Sequence, residues 1–301
     1  MNTEQGPVKR RELVELADRL APRQGYNPTP LPGVRILRTE TMLHDVPVLY
    51  KPGAVFVLQG RKRGLLEGEI YLYDEEHYLA VSVPVPFRME SVASPERPLL
   101  AVYVDFDMKM AAGIVAQMGA PETSGKVKSL LSSRMDPAIE DAVLRLLNAL
   151  DNPVELAVLG ACILRALHYR VLVGPQGGAM IAGLQQRGPS GKILESIARL
   201  RERYASGISV ASLAGEAGMS VPSYHTHFKA LTGSTPIQYV KAMRLHEARL
   251  MIARGDKTIA DVAASVGYAS PAQFSRDFKR HFRRTASEEA EWVRRHLGTL
   301  T

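Results

Sequence analysis

The feature that most constrains this 301-residue chain is a pattern written twice between Ser209 and Thr285. The first copy reads V-A-S-L-A-G-E-A-G-M-S from Val210 to Ser220, then P-S-Y-H-T-H-F-K from Pro222 to Lys229. The second reads I-A-D-V-A-A-S-V-G-Y-A-S from Ile259 to Ser270, then P-A-Q-F-S-R-D-F-K from Pro271 to Lys279. Gly218 and Gly267 lie 49 positions apart and Phe228 and Phe278 lie 50 apart, so the second copy has one extra residue in its turn. Each copy is a short alanine-rich helix, a glycine, and a helix with aromatics four apart, which is the sequence form of a helix-turn-helix. Leu213, Ala214 and Ala217 are small enough for close helix approach, Gly218 takes a positive φ, and Ser220 caps the second helix. Two such motifs at even spacing imply a reader of double-stranded DNA.

Helical phase separates structure from readout. In the first motif Tyr224 and Phe228 point to the core, so Pro222, His225, Thr226 and Lys229 project the other way. In the second, Phe274, Phe278 and Phe282 form the buried stripe, and Ala272, Gln273, Arg276 and Arg280 project outward. Gln pairs with adenine and Arg with guanine in the major groove, each pair worth about 1–3 kcal/mol of discrimination. The base-contact set is therefore Pro222, His225, Thr226, Ala272, Gln273 and Arg276. Lys229, Lys279 and Arg280, with Arg283 and Arg284 just after the second motif, form the phosphate-contact set, which positions without specifying. Because Gln273 and Arg276 are the side chains suited to reading bases, specificity is expected to be weighted toward the second motif.

Between the motifs, Ser234-Thr235-Pro236 supplies a cap and an N1 proline for a helix running to Ala253, with Gly255 as its stop. Seventeen helical residues span about 25 Å, which suits two recognition helices held near the roughly 34 Å repeat of DNA. Upstream, Lys192–Tyr204 places Ile193, Ile197, Leu200 and Tyr204 on one helical face, expected to pack beneath the first motif. Charge follows the same division. Residues 186–301 hold 18 Lys and Arg against 10 Asp and Glu, whereas residues 1–185 hold 20 against 21, so the whole excess of the +7 chain sits beside the repeats.

The first half has a different texture. Residues 8–20 place Leu13, Leu16, Ala17 and Leu20 on one helical face, closed by Ala21-Pro22. From Gly33 to about Asp105 come short runs rich in Val, Ile, Leu and Tyr: Val34–Leu37, Val46–Tyr50, Ala54–Gln59, Glu69–Tyr73, Tyr78–Val83 and Leu99–Asp105. Pro84 and Pro86 mark a strand end or edge. Six short strands with frequent turn signals predict a small antiparallel barrel or sandwich, able to enclose one small ligand. Tyr50, Tyr73, His77, Arg88 and Tyr103 are the candidate lining residues. Only His44 and His77 occur among these strands, with no H-x-H pair, so neither a metal nor another cofactor is expected, and no catalytic role. Met108–Met118, Pro137–Leu150 and a run from Pro153 to Gly174 then read as helices. The last of them is apolar nearly all round, for the core or for a homodimer contact. His168 reads as an ordinary helix residue. The stretch 174–191, rich in Gly, Pro and Gln, is the expected boundary, flexible near Arg187–Gly191.

No run of 18 uninterrupted apolar residues occurs, so no membrane span is expected, and the N-terminal M-N-T-E-Q-G-P-V-K-R-R lacks the apolar stretch of a secretory signal. The lone Cys162, expected to be buried, cannot form an internal disulfide, which agrees with the cytoplasm.

The run Y-V-K-A-M-R-L-H-E-A-R-L (Tyr239–Leu250), followed by I-A-D-V-A-A-S-V-G-Y-A-S-P-A-Q-F-S-R-D-F-K-R-H-F, resembles the signature of the AraC/XylS family of bacterial transcription regulators. The resemblance covers about Ile193–Arg295. It implies a bipartite DNA-binding domain with a rigid linker helix, acting on promoters through RNA polymerase, more often as an activator than as a repressor. The family's base-contact positions fall on Pro222, His225 and Thr226, and on Ala272, Gln273 and Arg276. One departure is that Arg283, Arg284, Thr285 and Ala286 stand where the family usually has Gly and later Thr-Pro. The first half is similar to a cupin-like N-terminal domain found in one branch of the family, through Tyr50-Lys51-Pro52, Gln59-Gly60-Arg61-Lys62, Tyr78-Leu79-Ala80-Val81 and Pro84-Val85-Pro86. Such domains sense a small effector or dimerise. The expected fold is thus α+β in two domains: residues 1–185 a cupin-like β-barrel with helices, residues 186–301 an all-α tandem helix-turn-helix domain with motifs at about 208–231 and 257–282. The alternatives for the first domain are a dimerisation module without ligand or a metal-dependent cupin enzyme.

Overall fold

The computed structural model describes residues 5–119, 128–175, 177–184 and 188–298; Met1–Glu4 of the N-terminal reading and Arg187 of the boundary reading lie outside the described residues. The first half is organised by an antiparallel sheet. Its strands are β1 (Gly25–Pro28), β2 (Val34–Thr39), β3 (Leu43–Leu49), β4 (Gly53–Gln59) and β5 (Arg61–Leu66), then β6 (Glu69–Asp74), β7 (His77–Val81), β8 (Pro86–Val92), β9 (Leu99–Asp105) and β10 (Leu130–Arg134). They pair in the order β1-β2-β9-β4-β7-β6-β5-β8-β3, with β10 also on β7, and the sheet curls into a half-barrel.

Burial follows the period of two along each strand, but differently in the two parts of the sheet. In β2, β4 and β9 both faces are covered, which is why G-A-V-F-V-L-Q and L-L-A-V-Y-V-D are almost unbroken apolar runs. Ile36, Phe56, Val102 and Val104 face an outer layer of helices, whereas Leu37, Val55, Val57, Ala101 and Tyr103 face the hollow of the curl. Strand β5 instead alternates, with Arg61 and Arg63 exposed and Lys62 and Gly64 buried. That charged alternation hid β5 from a reading based on apolar runs. The sequence reading likewise omitted β1, with its proline, the proline-opened β8, and β10, which is only L-L-S-S-R.

The outer layer comprises α1 (Gln5–Leu20), α2 (Met108–Gln117), α3 (Pro137–Asp151), α4 (Pro153–Val173) and α5 (Gly177–Leu184). Side chains cap three of these starts: Asp107 accepts from the amides of Lys109 (2.9 Å) and Met110 (3.1 Å), Asp136 from Ile139 (2.8 Å), and Asn152 from Val154 (3.1 Å) and Glu155 (3.2 Å). Helix α4 is 21 residues, with an 18-residue stretch of mean hydropathy 1.7, long and apolar enough to cross a membrane by length and composition alone. Here it packs on α2, α3 and α5 through Leu164, Leu167, Val171 and Leu172. Only one side is covered: Val154, Val158, Leu159, Tyr169 and Val173 are exposed, and Cys162 is exposed with them, contrary to the expectation that it is buried. His168 is more than an ordinary helix residue. It is fully buried against Phe106 (ring centroids 4.2 Å), accepts from the Asp107 amide at Nε2 (3.0 Å), and donates from Nδ1 to the Leu164 carbonyl (2.8 Å). The expected flexible boundary is also helical: α5 occupies 177–184 and the next helix begins at Gly188, because Met180, Ile181 and Ala182 bury enough apolar surface to offset their glycine neighbours.

The second half is all helical: α6 (Gly188–Arg203), α7 (Val210–Glu216), α8 (Val221–Thr232), α9 (Pro236–Arg254), α10 (Ile259–Ser265), α11 (Pro271–Phe282) and α12 (Ala286–His296). Residues of α6 to α9 join the hollow of the half-barrel in one continuous apolar core. Among the described residues, four hydrogen bonds stitch the seam. The Tyr239 hydroxyl donates to the Pro84 carbonyl (2.6 Å), Arg249 Nη1 to the Pro47 carbonyl (3.1 Å), Arg88 Nη1 to the His281 carbonyl (3.3 Å), and the Tyr26 amide to the Leu297 carbonyl (2.9 Å).

The departure after the second motif has a definite structural form. Arg283 occupies the left-handed position that ends α11 (φ +63°), where glycine carries no Cβ penalty, and Thr285 with Glu288 closes a capping box on α12. Arg283→Gly is expected to be more stable than Arg283→Ala by about 1 kcal/mol, because both remove the same charge and only glycine relieves the backbone. Urea unfolding of the two variants measures the difference.

Candidate nucleic-acid interface

The first motif is built by α7 and α8. Gly218 makes the turn at φ +61°, and the Met219 amide bonds the Ala214 carbonyl (2.9 Å). Ser220 caps α8 by accepting from the Ser223 amide (3.4 Å). Tyr224 and Phe228 are fully buried, and the Tyr224 hydroxyl pairs with Ser196 of α6 (2.7 Å). On the opposite face Pro222, Thr226 and Lys229 are exposed and His225 is half-buried. The Thr226 hydroxyl donates to the Pro222 carbonyl (3.0 Å), so its proton is committed to its own helix and only its acceptor capacity faces outward.

The second motif repeats the geometry with α10 and α11. Gly267 turns at φ +85°, and a Cβ there would lie 2.3 Å from the Ala205 carbonyl oxygen, so the glycine also permits close packing on the end of α6. Ser270 caps α11 through the Gln273 amide (3.3 Å). Phe274, Phe278 and Phe282 stack down the buried side at centroid separations of 5.3 and 4.6 Å. Ala272, Gln273, Arg276, Lys279 and Arg280 are exposed on the other. Neither the Gln273 nor the Arg276 side chain is held by a hydrogen bond or ion pair among the described residues.

The five basic residues of the phosphate set differ in freedom. Arg280 pairs with Asp277, a nearly buried carboxylate that also takes Lys241 Nζ at 2.7 Å. Arg284 is tied to Glu289 (3.0 Å) and lies over the Trp292 ring (4.6 Å), so part of its charge is spent inside the protein. Arg283 is exposed at its left-handed cap, and Lys229 and Lys279 are exposed on their helices.

Arg244, on the linker helix α9, holds several elements together. Its guanidinium donates from Nε to the Tyr204 carbonyl (2.7 Å), from Nη1 to Gly267 (3.0 Å) and from Nη2 to Ser206 (2.7 Å). It thereby clamps the linker helix to the end of α6 and to the turn of the second motif. The readable signal was a guanidinium at a position whose helical neighbours are buried.

Inside the half-barrel three of the five candidate pocket residues meet. Tyr50 and Tyr103 hydroxyls lie 3.2 Å apart with rings edge to face, Tyr73 is in the same core, and burial pushes all three phenols well up. The other two stand elsewhere. His77 Nδ1 sits against Asp74 (3.0 Å) at the end of β7, and Arg88 lies at the seam with Asp45 and His281. A separate cavity of about 500 Å³ opens between the half-barrel and α6, with Lys51, Phe106, Met108, Leu194, Ile197 and Arg201 among its walls. The sequence reading missed Lys62 as an interior residue: its amine is fully buried, has no hydrogen-bond partner among the described residues, and is pushed down to about 7 by desolvation. Among the described residues no three His, Cys, Asp or Glu side chains gather as a metal ion would require.

Comparison with known proteins places both halves. Residues 30–179 match the model of the AraC-type transcriptional regulator N-terminus, and residues 213–291 that of a helix-turn-helix domain. The HTH-type transcriptional activator RhaS of Escherichia fergusonii is 28% identical over 116 residues, 38% of this chain and 41% of RhaS. RclR of Escherichia coli K12, an RCS-specific HTH-type transcriptional activator, is 38% identical over 86 residues, 29% of this chain and 30% of its own. The match thus spans less than half of each of these two relatives. A structure of ToxT from Vibrio cholerae strain SCE256 with an unsaturated fatty acid bound superposes with a TM-score of 0.62 at 14% identity, over 86% of this chain and 93% of that one, a likeness of fold. With its sheet domain and its helix-turn-helix region both matched in this way, the chain belongs to the AraC-type family of transcriptional regulators.

Proposed function

We propose that this protein is a sequence-specific DNA-binding transcription regulator, an activator working with RNA polymerase in the cytoplasm, whose first half (residues 1–185) modulates the second (186–301) in response to a small effector. The observation that carries the reading is the repeated geometry of α8 and α11. In both, the aromatic face is buried, and the opposite face presents Pro222, His225 and Thr226 in one and Ala272, Gln273 and Arg276 in the other, with Pro222 and Thr226 in register with Ala272 and Arg276. Gln273 and Arg276, exposed and uncommitted, are suited to adenine and guanine edges, while Lys229, Lys279 and Arg283 supply positive charge for phosphates. RhaS and RclR are transcriptional activators, which supports the direction of regulation. ToxT, with which the chain shares its fold, holds an unsaturated fatty acid, which supports an effector in the first half. The seam gives such an effector a route: α6 to α9 share the core of the half-barrel, so a ligand that favours one packing of that core shifts the helices that carry the motifs.

The exposed apolar side of α4 supports a homodimer, with Val154, Val158, Tyr169 and Val173 at near-regular helical spacing. Sedimentation of the full chain is expected to give a dimer, and Val158→Glu a monomer with an unchanged circular dichroism spectrum.

A gel-shift titration against the DNA upstream of the protein's own gene tests the main reading. Gln273→Ala and Arg276→Ala are each expected to cost about 1–3 kcal/mol at the specific site and to relax preference at one base position. Lys279→Ala should weaken all sequences alike and lower the salt slope by about one. Thr226→Ala should cost less than Arg276→Ala. Absence of any preference over random duplex would sink the proposal.

A further inference from the structure

The interior of the half-barrel holds polar groups that the fold itself leaves unsatisfied. Lys62 on β5 is directly opposite Tyr73 on β6 and Ser91 on β8, and Ser91 is opposite Leu43 on β3. The four residues form one rung across four strands, and all four side chains are buried. Directly opposed residues bring their Cβ atoms to about 5 Å, so the polar ends of the rung address the same small region. Nevertheless Lys62 Nζ and the Ser91 hydroxyl each lack a hydrogen-bond partner among the described residues, and the Tyr73 hydroxyl, near that of Tyr50, makes no hydrogen bond of ordinary geometry. Buried polar atoms in folded proteins are almost always paired, and an amine without a counter-ion is the costliest to leave alone. Methionine would fill the same volume without that cost. Three such groups, each able to donate, at one level of one hollow, are a donor set for an acceptor that the described residues do not supply.

The surroundings narrow the acceptor. One cation, with no carboxylate paired to it, balances one negative charge. The remaining wall is apolar, with Val57, Leu79, Phe87, Met89 and Leu99 in the same core. A strongly hydrated inorganic ion would lose its water without replacement there, whereas an organic acid can bury its body against the wall. We propose that this rung is the binding site for a small organic monoanion, a carboxylate on an apolar body, with the acid group held by Lys62 Nζ and the hydroxyls of Tyr73 and Ser91. The inference rests on the reading of the first half as an effector domain and assigns that effector's chemical class and anchor. Its site lies beneath the seam, since the second half closes the same hollow.

Binding should take up a proton. The free amine titrates at about 7, and the ionisable groups sharing its core, Tyr50, Tyr73 and Tyr103, are pushed up by burial and stay neutral. Arg61 and Arg63, its neighbours on β5, point outward. Above pH 7 the free protein loses the ammonium that the anion needs, so affinity falls about tenfold per pH unit.

The test uses the full chain without DNA, by thermal shift and titration calorimetry, with octanoate and cinnamate as probes and octanol and cinnamamide as neutral counterparts. At about 1 mM, at least one acid should raise Tm by several degrees and its neutral counterpart should not. Lys62→Met should weaken the acid about 30-fold, and Tyr73→Phe and Ser91→Ala several-fold each. The loss of affinity above pH 7 should vanish in Lys62→Met. Should Lys62→Met not fold, the two hydroxyl variants and the wild-type pH slope decide. The proposal falls if neither acid binds, if the neutral counterparts bind as well as the acids, or if acid binding ignores Lys62, Tyr73 and Ser91. Because no DNA enters the readout, these failures leave the promoter-reading proposal standing. A neutral metabolite that alters DNA binding equally in wild type and Lys62→Met would keep the effector reading and discard this one.

Discussion

Strands β2, β4 and β9 bury side chains on both faces, and a sheet of this kind must be covered twice. Helices α1 to α5 cover one face. On the other face, α9 and α11 pack on β3 and α9 on β8, and residues of α6 to α9 continue the apolar core of the hollow, so the half that carries the helix-turn-helix motifs shares the half-barrel's core. The seam is therefore a shared hydrophobic interior and not a surface contact between two finished domains. Whatever changes the packing of the hollow acts directly on helices of the DNA-binding half. For the effector proposed above, this shared core is the physical basis of coupling to DNA.

Polar groups at the seam fix how the two halves meet. Arg249 is buried, lies 2.7 Å from Glu289, donates to the Pro47 carbonyl of β3, and sits over the rings of Phe282 and Trp292. Such a pair adds little net stability against an apolar substitute, but breaking one partner leaves a stranded charge, so it specifies one docking geometry. His246 and His281 face each other at 3.3 Å beside it. Burial, with Arg88 and Arg249 nearby, holds His281 down to about 4, so this pair is neutral at physiological pH. The depressed value means that its contribution to stability is complete above the ordinary histidine range and is lost as pH falls toward 4.

The two motifs share a backbone plan and differ in their chemistry. Thr226 spends its hydroxyl proton on its own helix and His225 is half-buried, whereas Gln273 and Arg276 are exposed and unengaged. The basic residues around the second motif are unequal in the same way. Arg280 and Arg284 answer internal carboxylates, and Arg283 and Lys279 are the freer charges. Arg244 makes the pair a unit, since a single guanidinium bonds carbonyls from the end of α6 and from the second turn.

The sequence by itself determined the helix-turn-helix pair, its inward and outward faces, the capped linker helix and the strand-rich character of the first half. These are local properties: a period of 3.6 or 2, a cap, a glycine at a positive φ, all written within a few residues of where they act. Tertiary structure alone decided the rest. Lys62 reads as one more charge in an R-K-R run until β6 and β8 place Tyr73 and Ser91 on either side of it. Arg88 reads as a pocket residue until the second half brings His281 to it, and His168 as a plain helix residue until Asp107 offers its amide. Cys162 is exposed, in an apolar helix whose outer side none of the described residues covers. For Lys62, Arg88 and His168 the deciding partners lie more than ten residues away in sequence, so no local pattern could carry them, and only the folding of the sheet and its two covers brought the groups together.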